Sequence, residues 1–198
     1  MNIINGIKNV ARRLREDFKS PTIYPYRDKT SRLLDNVSVV SAENLVMEQS
    51  TSIGPDSRIM NLRAKFVMKK YSFSGPGLLV VTGDHMPILG TPLIQVTDQM
   101  KDELDIEHKY DQDVVVDEDV WLGARVTLLN GAHIGRGSIV AAGSIVTRSL
   151  PPYCVGGGIP AKHIKNRWTV EQILEHESKI YPPEERFTRE YLESIIAE

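Results

Sequence analysis

From Val116 onward the chain is written in blocks of six. The blocks open at Val116, Leu122, Leu128, Ile134, Val140 and Val146, so position one is always aliphatic. Position five is always small or aliphatic: Val120, Val126, Ala132, Ser138, Ser144 and Leu150. Position two is often Gly or Ala, as at Gly123, Gly135 and Ala141. Neither a helical period of 3.6 nor simple strand alternation keeps such blocks in phase. A six-residue period calls for a solenoid in which each block supplies one short strand and one turn. Position one fills the interior. Position five points inward near a corner, where bulk does not fit. Glycine in the turn permits close approach of the next coil.

This pattern is the hexapeptide repeat, and it resembles the left-handed parallel β-helix. The expected fold is therefore an all-β solenoid. Upstream the repeat is ragged. Ile53 to Arg58 forms a good block, and a second phase opens at Leu62, Met68, Ser74 and Val80. Asp84 breaks the position-five rule. The shift of phase between Ile59 and Leu62 implies extra residues at a corner. The sixes vanish after His85 and return near Asp113. An excursion of this length at a solenoid corner reads as a binding loop.

The expected organisation has three parts. Residues 1–36 hold an N-terminal helix and an extended arm. Residues 37–150 hold the β-helix, with an excursion over 86–113. Residues 151–198 hold an exit turn and a helical cap. In the first part, Ile7, Val10, Leu14 and Phe18 follow helical spacing, and Lys8, Arg12, Arg13, Arg15 and Lys19 make the other side basic. That side gives the one opening for membrane-surface contact, although a solvated cap is favoured. In the last part, Val170, Ile173 and Leu174 mark a helix ending before Pro182, and Arg189 to Ala197 marks another.

Charge and composition narrow the function. Twenty-four Lys+Arg against 26 Asp+Glu leave a net charge of −2, which gives no reason to expect a large electrostatic footprint for nucleic acid. A single cysteine, Cys154, excludes an internal disulfide and a four-cysteine zinc site. No apolar run reaches membrane-spanning length and no secretory signal is apparent, so a cytoplasmic location is expected.

The sharpest chemical feature is Gly83-Asp84-His85-Met86-Pro87, where the regular coil gives way to the excursion. A neutral imidazole can take a proton from a hydroxyl as that oxygen attacks a carbonyl. The other histidines are less persuasive. His108 lies in the excursion, His133 should point outward from the coil, His163 lies beside the glycine-rich exit turn, and His176 falls on a surface helix. A metal site shared by three subunits would need facing histidines, and no spacing here shows it. No metal is expected.

The chain resembles the hexapeptide-repeat acyltransferases, and within them the branch of maltose, galactoside and polysaccharide O-acetyltransferases. The resemblance rests on Val120-Trp-Leu-Gly, the blocks from Ile134 to Thr147, the segment from Pro151 to Lys162, and the Gly-Asp-His-Met-Pro root. It implies a homotrimer that transfers the acetyl group of acetyl-CoA to a sugar or polysaccharide precursor, with His85 as general base. N-acyl transfer to a nucleotide-linked amino sugar or another amine is the alternative. The same resemblance places the CoA arm along Ala141, Ala142 and Thr147. It puts the nucleotide end near Pro160, Lys162 and Lys165, and sets Trp121 and Gly123 opposite the catalytic region. Two departures stand out: Ala141-Ala-Gly-Ser where Gly-Ala-Gly-Ser is common, and Gly158-Ile-Pro-Ala-Lys where Gly-Asn-Pro-Ala-Lys is usual.

Overall fold

A computed structural model describes residues 22–196. The expected basic helix of residues 5–20 lies outside the described residues.

Five coils of short strands stack along one axis. The first coil holds β1 (Tyr26–Arg27), β2 (Arg32–Leu33) and β3 (Ser38–Val39). The second holds β4 (Leu45–Met47), β5 (Ser52–Ile53) and β6 (Arg58–Met60). The third holds β7 (Phe66–Met68), β8 (Phe73–Ser74) and β9 (Leu79–Val81). After the excursion, which carries helix α1 (Asp98–Leu104), come β10 (Val114–Val116), β11 (Trp121–Leu122) and β12 (Thr127–Leu128). The fifth coil holds β13 (His133–Ile134), β14 (Ile139–Val140) and β15 (Ile145–Val146). Every third strand pairs in parallel, giving three sheets: β1-β4-β7-β10-β13, then β2-β5-β8-β11-β14, then β3-β6-β9-β12-β15. This is the left-handed β-helix that the six-residue period predicts.

The register explains why the period holds. Trp121 pairs with Ile139 and Leu122 with Val140, so each block lies over its equivalent in the next coil. Position one is fully buried at Val116, Leu122, Leu128, Ile134, Val140 and Val146. Each such aliphatic side chain contributes about 1.5–3 kcal/mol by leaving water. Position five is buried as well, and its hydroxyls are satisfied. Ser144 donates to the carbonyl of Ala141 at 2.7 Å, and Ser138 to that of Pro151 at 2.8 Å. At the turns, a Cβ on Gly123 would stand 2.6 Å from the backbone nitrogen of Ala142. The coils can stack at this corner only because that atom is missing.

Three expectations need correction. The coil begins at β1, not near Val37: Tyr26 pairs with Val46 and Arg32 with Ser52. Leu33, Val37 and Val39 pack on the core as position-one and position-five residues do, so the expected arm is the first coil. Leu62 does not point inward. It is 65% exposed, while the amide of Asn61 is buried and exchanges hydrogen bonds with the backbone of Ser41 at 3.0 and 2.9 Å. That clamp absorbs the extra corner residues and restores the phase at Phe66. The glycines after Cys154 are not an exit turn. They lie in β16 (Cys154–Gly158), which pairs in parallel with β14 and antiparallel with β17 (Ala161–Asn166).

Helices α2 (Val170–Ile180) and α3 (Arg189–Ile195) follow the hairpin, and the C-terminal segment packs along the corner between the first and second sheets, where Lys70, Asp119 and Arg136 of three successive coils meet Glu185, His176 and Glu177. Tyr153, Ile173 and Leu192 form a second buried cluster. Thr169 and Gln172 build a reciprocal capping box at the start of α2. Glu177 is fully buried. It accepts from the Tyr153 hydroxyl at 2.9 Å, the Phe187 N–H at 2.6 Å and Arg136 at 3.3 Å. A buried carboxylate of this kind is tolerated only with such a full set of donors. His176, expected at the surface, is partly covered. Its Nε2 meets Asp119 at 3.2 Å and its ring lies 4.7 Å from that of Trp168.

Candidate active site

The excursion leaves the third sheet after β9 and returns to the first sheet at β10. Its two ends are tied together. Asp84 N–H donates to the Tyr110 carbonyl at 2.6 Å, Gln112 N–H to the Thr82 carbonyl at 3.0 Å, and Gly83 bridges Asp111. A Cβ on Gly83 would stand 2.5 Å from the Asp111 carboxylate, so glycine here admits that carboxylate to the root. Asp105 turns the chain beyond α1 by accepting from the N–H groups of Lys109 at 2.8 Å and Tyr110 at 2.9 Å. Desolvation would raise the Asp105 carboxyl. The two N–H donors outweigh it and hold the group below its ordinary value.

Sequence reasoning missed the group that anchors this root. Lys101, on α1, is buried with its side chain 9% exposed. Its ammonium pairs with Asp111 at 2.8 Å and donates to the carbonyls of Asp84 at 2.6 Å and Tyr110 at 3.2 Å. It therefore grips the residue immediately before His85. Arg63 donates from Nε to the other Asp111 oxygen at 2.8 Å, and its remaining nitrogens pair with Asp102 and with Asp98 at 3.5 Å. Nothing local in the sequence announces Lys101, because its partners come from both ends of the excursion.

His85 is exposed at the rim of a cavity of about 330 Å³. Val40, Met60, Leu62, Val81, Met86 and Val96 supply its apolar wall, and Arg63, Lys101 and Asp111 stand at its polar edge. His85 thus stands on a clamped backbone and lines a space of ligand size. His133 points outward, as expected, and its Nε2 meets Asp117 at 2.8 Å. His108 lines a separate open groove together with His133.

The remaining candidate residues lie elsewhere on the chain. Gly123 and Ala141-Ala142 occupy the corner between the second and third sheets in successive coils. A Cβ on Gly157 would touch Ala141 at 3.0 Å, and Gly157 pairs with Lys162. Gly123, Ala141, Ala142 and Lys162 therefore follow one track parallel to the axis, with Pro160 and Lys165 exposed on the terminal hairpin. Thr147 is exposed where β15 ends, at the corner from which, two coils earlier, the excursion departs. Trp121 projects from the second sheet, 47% exposed, and stacks on Phe73 at 6.1 Å. His85 is at the corner between the third and first sheets. A single chain does not bring it together with the Gly123–Lys162 track or with Trp121.

Three parallel sheets around a hexapeptide core, with a histidine-bearing excursion, define a left-handed β-helix of the hexapeptide-repeat class. Residues 113–148 match the family described as bacterial transferase hexapeptide, six repeats. A probable macrolide acetyltransferase of Lysinibacillus sphaericus is 48% identical over 61 residues, which are 31% of this chain and 34% of that protein. The match thus spans about a third of that relative's length. A maltose O-acetyltransferase from Clostridium difficile superposes with a TM-score of 0.57 at 21% identity, over 71% of this chain and 68% of that one. A hexapeptide-repeat acetyltransferase from Vibrio cholerae, complexed with acetyl coenzyme A, gives 0.57 at 22% identity over 70% and 69%. Both structural likenesses are likenesses of fold. Among the described residues, no helix is long and apolar enough to cross a membrane.

Proposed function

We propose that this chain is a CoA-dependent acyltransferase that moves an acetyl group from acetyl-CoA to a hydroxyl of a small-molecule or sugar acceptor, in the cytoplasm. The observation that carries the proposal is His85. It stands on a root clamped by Lys101 and Asp111, over a cavity of ligand size, on a hexapeptide coil.

The acceptor enters the cavity with its hydroxyl against the His85 imidazole. His85 removes the hydroxyl proton as the oxygen attacks the thioester carbonyl. The tetrahedral oxyanion needs a donor at about 3 Å, for which a backbone N–H is suited. Collapse breaks the C–S bond. The CoA thiolate leaves and takes up the proton that His85 holds. No acyl-enzyme is needed.

The track through Gly123, Ala141, Ala142 and Lys162 suits an extended pantetheine arm. The cations of Lys162 and Lys165 suit its phosphates. Pro160 borders that path, Thr147 stands instead at the His85 corner two coils further along, and Trp121 would wall the thioester. Because the track and Trp121 stand at other corners than His85, we assign the complete site to a homotrimer in which neighbouring copies supply the two halves.

Replacement of His85 by Ala or Asn is expected to lower kcat by roughly 10²–10⁴-fold. Thermal unfolding and CoA affinity should stay near those of the parent. The rising limb of kcat/KM against pH, which reports the essential base, should disappear. A variant that keeps more than about a third of parental kcat with a verified acceptor would contradict a general-base role of this size.

A further inference from the structure

We infer that the acceptor is an alcohol with an apolar body and no anionic group, seated in the cavity beside His85. The inference rests on the reading of His85 as the base and adds the class of molecule that meets it. Two observations support it.

The first is the wall. Val40, Met60, Leu62, Val81, Met86 and Val96 line the same space as His85. A bare hexose would present hydroxyls to these carbon and sulfur atoms and lose its hydrogen bonds to water without replacement. An apolar body would instead displace water from surface that is exposed at present, since Leu62 is 65%, Val40 52% and Met60 42% exposed. The volume of about 330 Å³ is at the small end of the ligand-pocket range.

The second is the charge. The cations that line the cavity are Arg63 and Lys101, and both are already committed. Arg63 is bound to Asp111, Asp102 and Asp98. Lys101 is bound to Asp111 and to two carbonyls. Asp84, Asp98 and Asp111 line the same space, so carboxylates outnumber cations at its edge. A phosphate or carboxylate on the acceptor would find no free cation on this copy's side of the cavity and would meet like charge. Nucleotide-linked and acidic sugars are thereby disfavoured as acceptors at this site.

A matched series of compounds tests the inference. 4-Nitrophenyl β-galactoside, galactose and UDP-galactose present similar ring hydroxyls with an apolar, an absent and an anionic substituent. Binding to the full chain, with CoA present, is read from the methyl resonances of Met60 and Met86. The nitrophenyl compound is expected to shift them at a concentration about tenfold or more below galactose. UDP-galactose should shift them last. Leu62→Asn, at an exposed position that does not threaten folding, should reduce the nitrophenyl preference about fivefold.

UDP-galactose binding as tightly as the nitrophenyl compound would overturn the inference. So would an absence of methyl shifts with all three compounds, or an unchanged preference in Leu62→Asn. The two readings fail separately. The predicted order of binding together with a fully active His85→Ala variant sinks only the catalytic role. Preferred binding of UDP-galactose together with an inactive His85→Ala variant sinks only the acceptor class.

Discussion

Replacing Lys101 by Met keeps the length of the side chain and removes its charge. The ammonium now compensates Asp111 at 2.8 Å and holds the carbonyls of Asp84 and Tyr110. Lys101 is 9% exposed and Asp111 11%, so water cannot readily replace the lost partner. Breaking a buried ion pair from one side costs about 3–5 kcal/mol. Asp111 keeps Arg63 on its other oxygen at 2.8 Å, which puts the expected cost near the low end, about 3 kcal/mol. If the whole fold bears the loss, the melting temperature falls by about 6–12 °C for a chain of this size. If the excursion opens by itself, the loss appears locally. The amides of Asp84 and Gln112, which close the root, should then exchange with solvent roughly 100-fold faster. In either case the backbone beside His85 loses its anchor. A displacement of about 1 Å at a catalytic group costs on the order of 10²-fold in rate. The assay combines thermal unfolding, hydrogen exchange and steady-state kinetics on one preparation. kcat should fall while KM for acetyl-CoA stays within about twofold. A variant whose melting temperature, exchange at Asp84 and kcat all match the parent would refute the clamp.

Three further outcomes follow from the same geometry. Light scattering should return about three times 22.2 kDa, and an active monomer would rule out a site divided between copies. Gly123→Ala should destabilise by on the order of 1–3 kcal/mol, because the added Cβ meets backbone 2.6 Å away; an unchanged denaturation midpoint would show that the corner can relax. Burial pushes the Tyr153 and Tyr181 phenols and the Cys154 thiol above their ordinary values. The folded state therefore holds these protons where the unfolded chain releases them. Stability is complete below the unfolded values and falls as pH climbs past roughly 8.5 for the thiol and 10 for the phenols. Tyr153→Phe should flatten the phenol part of that alkaline loss, and an equally steep loss would assign it to other groups.

The regular half of the fold is readable from Val116 to Leu150 because each inward position is decided locally, by side-chain size at a fixed place in a short block. Before Val116 the same rule operates with weaker letters. Ser74 is buried at a position one where an aliphatic was expected, and its hydroxyl repays the burial by accepting from Gly54 N–H at 2.9 Å. The first coil was hidden by polar strands such as Ser38–Val39, whose place is set by pairing with Arg58–Met60 twenty residues away. His85 was legible because it interrupts a pattern. Lys101 and Glu177 were not, since each is a charged residue on a helix until chain segments from elsewhere surround it.

The sequence alone determined the period, and with it the parallel stacking, the inward faces and the point where the coil is broken. These follow from steric and hydrophobic rules that act over six residues. Only the tertiary structure decided which carbonyl Lys101 grips, that Arg63 has no charge to spare, and that His85 and the Gly123–Lys162 track occupy different corners of the prism. Those facts depend on contacts between residues far apart in the chain, whose geometry no local spacing encodes.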